Sequence, residues 1–383
     1  MLAAFVKSWW GYLLLVPQVI RAIPGGSTTS TLKRAALLPL GWAAFGLLNA
    51  IHWLGFLFDE ILFPGYRKVR IAAPIEIVGV PRSGTTFLQR ALATEPKFTT
   101  LTLFECVLAP SITERYVWLG LGRLFSRVFG RLVSAGRFRV DRMEAIHPIG
   151  LDEPEEDFIL LLWVHACFLA VVPLPAEDRY WRLARFDQLE PARSRQIVFD
   201  FYERCLQRHL FYHGKDRRLL SKNPSFTPML RSLRERFPDA TMVGCVRAPV
   251  KTVPSQLSSL LPAFEMLGNG EIPRPFQRRM IDALVHYYAE LAQFASEDDI
   301  KIVEMERLSS ELESVVAEIF DHAAHRPSET FQAKLAVLGS GGRNYQSAHR
   351  YSLADFDLTE AEIGRSFSGV WPLSLAPVAV RDV

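Results

Sequence analysis

Three cationic side chains each stand at the end of a short apolar run of the kind typical of a β-strand. When such strands are parallel, their carboxyl ends meet at one edge of the sheet, where α/β folds bind their ligands. Like charges gather at one edge only when an anion compensates them, so the pattern predicts an anion-binding site. The three are Arg82 after Ile75–Val80, Lys222 after Arg218–Ser221 and Arg247 after Thr241–Val246.

The first cation lies in a glycine-rich turn between a strand-like run and a helical pattern over Thr85–Ala93. Such a turn directs backbone N–H groups and the positive end of a helix at one point, where an anion can bind. A nucleotidase P-loop would read G-x-x-x-x-G-K-[ST] here. This chain keeps the spacing from Gly79 to Gly84 but has Thr85 in the lysine position. The turn therefore predicts a cradle for a phosphate-like group without the lysine that grips a γ-phosphate.

The strand-like runs, including Lys301–Glu304, are each followed by a turn and a helical pattern. This alternation predicts an α/β fold: a P-loop-like, three-layer α/β/α arrangement with a central parallel sheet. We expect an N-terminal apolar helical extension over residues 1–70 and a catalytic domain over 71–383, with a helical insert at about 105–215. Within the insert, Phe158–Val172 is predicted as one core helix, with the acids of 152–157 in its first turn.

Composition limits the classes of partner. The 383 residues include 49% apolar ones, and the 44 basic and 41 acidic residues leave a net charge of +3. A nucleic-acid-binding protein would be more basic and more clustered, so no nucleic acid is expected. The four cysteines are far apart and form no metal-like spacing, so we expect no metal and interpret them as buried thiols.

The N-terminal region carries a long run without charge. Ala35–Phe58 contains no Asp, Glu, Lys or Arg, which is long enough to cross a bilayer. Basic residues flank both ends, so the orientation signal is ambiguous, and Pro39, Asn49 and His52 within the run weaken a spanning interpretation. The alternative is a pair of helices that pack on the domain or lie at the membrane interface. We expect membrane association and leave the choice between span and interface open.

These motifs together resemble the sulfotransferases that use 3′-phosphoadenosine 5′-phosphosulfate (PAPS), and more narrowly the bacterial sulfotransferase-like family related to tyrosylprotein and carbohydrate sulfotransferases. The family's 5′-phosphosulfate loop reads Pro-Arg-Ser-Gly-Thr-Thr, as residues 81–86 do. Its 3′-phosphate motif has a proline two residues and a serine eight residues after a strand-end arginine, which matches Arg247, Pro249 and Ser255. Its Lys-x-Pro strand end matches Lys222 and Pro224. The resemblance covers roughly residues 74–367.

The resemblance implies transfer of a sulfuryl group from PAPS to a hydroxyl or amine of a lipid, glycan or other small acceptor. Lys222 would stabilise the leaving group, and no Mg²⁺ is required. It also implies binding of the 5′-phosphate by Arg82 with Ser83, Gly84, Thr85 and Thr86, and of the 3′-phosphate by Arg247, Ser255 and, from a mobile loop, Arg343.

The acceptor needs a general base. Soluble relatives use a histidine two residues after the lysine, where this chain has Pro224, and Phe226 occupies the place where many relatives of this subgroup carry one. Tyrosylprotein relatives use a glutamate after the first helix, and Glu105 lies at the matching place. Its apolar neighbours predict a raised pKa. Glu156 and His147 are the reserve candidates, and a helix cap or ion pair is the alternative role of Glu105.

Two other classes of function compete with a sulfotransferase. A P-loop-type kinase or nucleotidase is disfavoured by Thr85 and by the lack of a strand ending in a Walker-B aspartate. A non-catalytic nucleotide-binding membrane protein is disfavoured by the presence of Lys222 and Glu105. We expect the enzyme on the cytoplasmic side of a bacterial inner membrane.

The 3′-phosphate assignment can be tested with Arg247→Ala. Loss of a charge-assisted phosphate contact should weaken binding of 3′-phosphoadenosine 5′-phosphate by about 2–3 kcal/mol in a calorimetric titration. A variant that binds this nucleotide as tightly as the wild type would contradict the assignment.

Overall fold

The central element is a sheet of five parallel strands in the order β2-β3-β1-β4-β5. The computed structural model describes residues 1–25, 27–121, 153–268, 270–297, 299–342 and 352–372. The α/β fold predicted from the sequence is confirmed, and the two-residue edge strand β2 is an addition to it. The strands are β1 Ile75–Gly79, β2 Phe98–Thr99, β3 Arg218–Lys222, β4 Thr241–Val246 and β5 Lys301–Glu304.

Helices flank the sheet and precede it. The α-helices are α1 Leu2–Ala22, α2 Thr28–Leu62, α3 Thr85–Leu92, α4 Leu103–Val107, α5 at 112–121, α6 Asp178–Trp181, α7 Phe186–Leu189, α8 Ala192–His213, α9 Leu230–Arg236, α10 Pro249–Met266, α11 Arg274–Ser296, α12 Met305–Ser310, α13 Leu312–His322, α14 Glu329–Gly342 and α15 Glu360–Phe367. Short 3₁₀ helices occupy Pro64–Lys68, Asp157–Val164, Phe168–Val171, Arg182–Arg185, Pro224–Met229 and Ala354–Phe356.

Apolar residues of the middle strands alternate between two cores. Ile75 and Ile77 of β1 belong to a cluster with α3 and α13, whereas Val78 belongs to the larger cluster with α8, α10 and α11. All residues of β1 and β4 are buried. A strand covered on both faces needs this continuous apolar character, which is why these runs were recognisable in the sequence.

One residue of β1 breaks the apolar pattern. Glu76 is fully buried, and neither carboxyl oxygen has a hydrogen-bond partner among the described residues. Burial, followed by the negative charge of Asp157, raises the pKa of Glu76 well above its usual range. Burial within β1 therefore favours the neutral carboxylic acid form of Glu76.

The predicted single core helix over Phe158–Val172 is wrong. The segment forms two 3₁₀ helices, Asp157–Val164 and Phe168–Val171, and His165 between them has a left-handed φ of 55°. Tertiary contacts explain the break, because a ring nitrogen of His165 lies 3.0 Å from the backbone carbonyl of Ser8 in α1. An apolar run alone does not reveal such an interaction with another element.

Helix α2 is attached to the domain through a buried ion pair. Arg208 of α8 donates to Asp59 over 2.8 Å, and both side chains are fully buried. The Arg208 guanidinium also lies over the rings of Phe56 and Tyr66. Asp59 accepts a further hydrogen bond from the backbone N–H of Ile112. The C-terminal half of α2 is therefore part of the folded core.

Arg208→Met should destabilise the fold because it leaves Asp59 charged, buried and without its cation. We expect a loss of about 3–5 kcal/mol in the free energy of unfolding, measured by denaturant titration. Arg193→Met, an exposed position on the same helix, is the matched control and should change stability by less than about 0.5 kcal/mol. The double variant Asp59→Leu/Arg208→Met should recover much of the loss, and equal effects at Arg208 and Arg193 would contradict this assignment.

Candidate active site

The turn after β1 is fixed on both sides by buried hydrogen bonds. The Ser83 hydroxyl lies 2.6 Å from the carbonyl of Val80 and 3.0 Å from that of Cys245 in β4. Thr227 accepts from the Gly79 N–H over 3.0 Å and lies 2.6 Å from the Gly79 carbonyl. Gly79 has φ 130°, and a Cβ there would lie 2.1 Å from the Cys245 carbonyl oxygen. Only glycine therefore allows β1 to leave the sheet at this point.

The turn contains two residues in the left-handed region. Arg82 has φ 65°, and Gly84, directly before α3, has φ 86°. A non-glycine residue in this region is uncommon, and such strain concentrates at functional sites. Left-handed residues at the start of a helix orient successive N–H groups toward one point, which suits an anion. The local geometry thus agrees with the predicted cradle.

The three predicted cations are brought together. Their strands β3, β1 and β4 are neighbours in the sheet. Arg82 Nε donates to the buried Ser255 hydroxyl over 3.1 Å, and Arg247 donates to the Arg82 carbonyl over 3.4 Å. Lys222 donates to the Thr86 hydroxyl over 3.3 Å. The structure therefore places the three predicted cations at the same edge of the sheet, around the turn after β1.

Two acidic residues accompany Lys222. Its ammonium donates to Glu156 over 2.9 Å and lies 3.7 Å from Glu155. The next residue, Asp157, is buried and accepts from Tyr202 and Ser221, each over 3.0 Å, and from Asn223. Asp157 does stand in the first turn of a helix, but this is a 3₁₀ helix, and the side chains of Glu156 and Asp157 contact the end of β3.

Glu156 combines a carboxylate with a cationic surrounding. Burial raises the pKa of Glu156, and the neighbouring Lys222 and Arg82 offset that rise only in part. Its side chain remains 26% exposed, so it is accessible from the sheet edge. A carboxylate with a raised pKa beside the predicted leaving-group lysine has the properties of a general base.

Glu105 has a different environment from the one expected. It forms a capping box with Thr102 at the start of α4, and its carboxylate lies 3.2 Å from Arg115 and 2.5 Å from His213. Burial alone would raise its pKa, but Arg115, followed by His209, lowers it well below the usual range. The expected rise is therefore wrong, and the ion-pair alternative describes the contacts of Glu105.

The same cluster has the ligand types of a metal site. One ligand atom from each of Glu105, His209 and His213 lies within 4.8 Å of the others. The Arg115 guanidinium already supplies a positive charge to the carboxylate, so the cluster is electrostatically compensated by the protein's own residues.

Several supporting residues were not found from the sequence. Tyr288 of α11 donates to the Arg247 carbonyl and lies 3.2 Å from the Thr252 hydroxyl, so it holds the backbone that carries the third cation. Phe226 is buried with its ring against that of Tyr202, and it offers no polar group to the sheet edge. The predicted contact Arg343 and the reserve base His147 lie outside the described residues.

Comparison with known proteins agrees with this arrangement. The model of the Sulfotransferase family (Sulfotransfer_3) matches residues 74–325, which include all three cations and the turn. The chain therefore belongs to the sulfotransferase family.

Curated relatives are the omega-hydroxy-beta-dihydromenaquinone-9 sulfotransferases Stf3 of Mycobacterium tuberculosis and Mycobacterium bovis. Each is 27% identical over 221 residues, which are 57% of this chain and 52% of the relative, so the match spans about half the length of these proteins.

Two crystal structures share the fold. Sulfotransferase STF1 from Mycobacterium tuberculosis has a TM-score of 0.65 at 21% identity and covers 95% of this chain and 93% of its own. STF9 from Mycobacterium avium has a TM-score of 0.66 at 18% identity, with 88% and 84% covered. At these identities the likeness concerns the fold.

The contacts of the two glutamates generate a paired prediction. Glu156→Gln should slow turnover by about a hundredfold, because the amide cannot accept the acceptor's proton. Glu105→Gln should lower the free energy of unfolding and leave the turnover of the folded enzyme nearly unchanged, because the Glu105 carboxylate compensates the buried Arg115. The measurement is release of 3′-phosphoadenosine 5′-phosphate from PAPS, with nucleotide affinity of each variant as the control. A hundredfold loss confined to Glu105→Gln would restore Glu105 as the base.

Proposed function

We propose that this chain transfers a sulfuryl group from PAPS to a hydroxyl, or an amine, of a small acceptor. The observation that carries the proposal is the convergence of Arg82, Lys222 and Arg247 on a turn that lacks the P-loop lysine. A donor with a phosphate–sulfate anhydride and no γ-phosphate suits such a turn. Sulfuryl transfer, like phosphoryl transfer, depends mainly on positioning and on compensation of charge.

Each cation has a proposed part in donor binding. Arg82 and the N–H groups of residues 83–86 bind the 5′-phosphate. Arg247 and Ser255 bind the 3′-phosphate, which separates this donor from ATP, and Arg343 is proposed as a further contact. The Arg82–Ser255 hydrogen bond supports this division, because it holds the two phosphate-binding groups beside each other. The bound donor supplies the sulfuryl group and a stable anionic leaving group.

In this proposal, binding of the donor separates the ion pair between Lys222 and Glu156. The Glu156 carboxylate lies 2.9 Å from the Lys222 ammonium and forms an ion pair with it. An incoming anion competes for the ammonium, which leaves Lys222 to compensate charge on the leaving group and frees Glu156 to accept the acceptor's proton. We favour Glu156 over Glu105 because its partners are the proposed donor-binding cations, whereas those of Glu105 are Arg115, His209 and His213.

For the acceptor we favour a hydroxylated lipid. The named relatives are sulfotransferases of a menaquinone derivative, which is a lipid. The N-terminal helices α1 and α2 are long and apolar enough to cross a membrane by length and composition. We propose a catalytic domain over 71–383, and an extension over 1–70 that associates it with the cytoplasmic side of a bacterial inner membrane.

Calorimetry distinguishes the proposal from its competitors. The chain should bind 3′-phosphoadenosine 5′-phosphate without Mg²⁺, and should show no comparable binding of ATP with or without Mg²⁺. Arg247→Ala is the matched control for site-specific binding. Tight binding of Mg·ATP would contradict a sulfotransferase and favour a kinase or nucleotidase. Nucleotide binding without PAPS turnover on any lipid extract would favour a non-catalytic binding protein.

A further inference from the structure

Helix α2 is amphipathic with its apolar side directed away from the protein. Every exposed residue between Ala35 and Leu62 is Ala, Gly, Pro, Leu, Ile or Phe. The polar residues Asn49, His52 and Asp59 are instead fully buried against the domain. A helix of a water-exposed surface has the opposite arrangement. The outer side of α2 therefore requires an apolar partner.

The same surface continues onto two neighbouring helices. Tyr12 of α1 stacks on Trp42 of α2 with ring centroids 4.7 Å apart, and Tyr116 of α5 stacks on Phe63 directly after α2. We call the exposed apolar residues of α1, α2 and α5 the apolar platform. Its large members are Leu2, Phe5, Val6, Trp10, Leu13, Leu14, Val16, Ile20, Leu32, Leu37, Leu40, Leu47, Ile51, Leu54, Leu57, Phe58, Ile61, Leu62, Tyr116, Val117, Trp118, Leu119 and Leu121.

The inner side of α2 is bound to the domain along most of its length. Arg34 donates to the Leu267 carbonyl over 3.2 Å near one end, and the Asp59–Arg208 pair lies near the other. Between them, His52 lies 2.5 Å from Glu114. These contacts extend over 25 residues, or about 37 Å of helix. A bilayer-spanning α2 would have to break them or draw the charged domain surface into hydrocarbon.

Helix α1 is held in a similar way. A ring nitrogen of His165 lies 3.0 Å from the backbone carbonyl of Ser8, and Lys7 donates to Ser194 of α8 over 3.2 Å. The Ser8 hydroxyl donates to Asn49 of α2 over 3.0 Å. Neither helix can rotate into a spanning orientation without losing these polar contacts, although both have the length to span.

We propose that the apolar platform lies in the plane of an anionic bilayer surface, with neither α1 nor α2 crossing the membrane. Basic residues stand at both ends of α2, with Arg21 and Lys33 exposed at one and Lys68 and Arg70 exposed at the other. An in-plane helix places all of them at the same layer of headgroups, where anionic lipids attract them. A spanning helix is oriented by an excess of basic residues at one end, whereas an in-plane helix is compatible with basic residues at both ends.

Contacts within the protein also connect the platform with the sheet edge of the site. Helix α5 follows α4 closely, and Thr102, the cap of α4, pairs with Pro154, two residues before Glu156. A lipid acceptor could then present its hydroxyl while its apolar chain stays in the bilayer. The inference rests on the membrane association in the proposed function, but it does not depend on sulfuryl transfer.

The test measures how deep successive positions of α2 lie in the bilayer. Single cysteines replace Ala36, Ala43, Ala50 and Leu57, which are exposed and share one helix side because they are seven residues apart. The full chain, labelled with an environment-sensitive fluorophore, is bound to phosphatidylglycerol-containing vesicles whose lipids carry nitroxide quenchers at shallow or deep positions. The four native cysteines are buried, so the unsubstituted chain should take up little label.

An in-plane helix should give four similar and shallow depths. A spanning helix should change depth by about 10 Å from each labelled position to the next, and that result would overturn the proposal. Absence of quenching at all four positions, with self-association in solution, would show that a second copy covers the platform and would also overturn it. Label at Leu189→Cys on α7, outside the platform, should remain unquenched.

A charge substitution supplies an independent measurement. Leu54→Glu in the platform should reduce cosedimentation with these vesicles at least about tenfold, whereas Leu189→Glu, also an exposed leucine, should leave it unchanged. Both variants should retain wild-type binding of 3′-phosphoadenosine 5′-phosphate. Equal vesicle binding by the two variants would overturn the proposal for the platform. If the wild-type chain does not bind 3′-phosphoadenosine 5′-phosphate, the proposed sulfuryl transfer is overturned and the membrane result stands.

Discussion

The site depends on the buried carboxylate of Asp157. Tyr202, Ser221 and Asn223 all donate to it, so it joins helix α8 and the end of β3 to a segment that lies outside the sheet. A buried charge is stable only when such donors surround it. Because the chain is fixed at Asp157, the preceding Glu156 is held against Lys222. The polar edge of the sheet is thus organised by a residue that does not itself face solvent.

The turn after β1 has the spacing of a phosphate-binding loop but carries its cation at a different position. Gly79 lets β1 approach the Cys245 carbonyl, and Thr227 and Ser83 satisfy the backbone groups that this approach exposes. These contacts fix the turn without help from a lysine at position 85. The positive charge comes instead from Arg82 within the turn and from the ends of two neighbouring strands. The conformation of the turn is therefore set in advance by contacts within the protein.

The sequence predicted well those features that depend on neighbouring residues or that follow one strand after another. The strand-end cations could be found because parallel strands place their carboxyl ends together, whatever the exact topology. The environment of Glu105 could not, because its apolar sequence neighbours gave no sign of Arg115 or of His213 on α8. Likewise, nothing near Glu156 in the chain indicates Lys222, which lies 66 positions later. The uncharged run Ala35–Phe58 indicated a helical segment where α2 lies, but the polar partners of its inner side come from distant elements.

The raised pKa of Glu76 has a consequence for the energetics of the fold. The unfolded chain releases this proton near the ordinary glutamate pKa, whereas the folded chain keeps it to much higher pH. Folding therefore takes up a proton at pH values between the unfolded and folded pKa, and this group's contribution to stability declines as the pH rises through that range. Wherever Glu76 is protonated, β1 carries no negative charge beneath Arg82, Lys222 and Arg247. Proton uptake during folding therefore favours a positive potential at this edge of the sheet in that pH range.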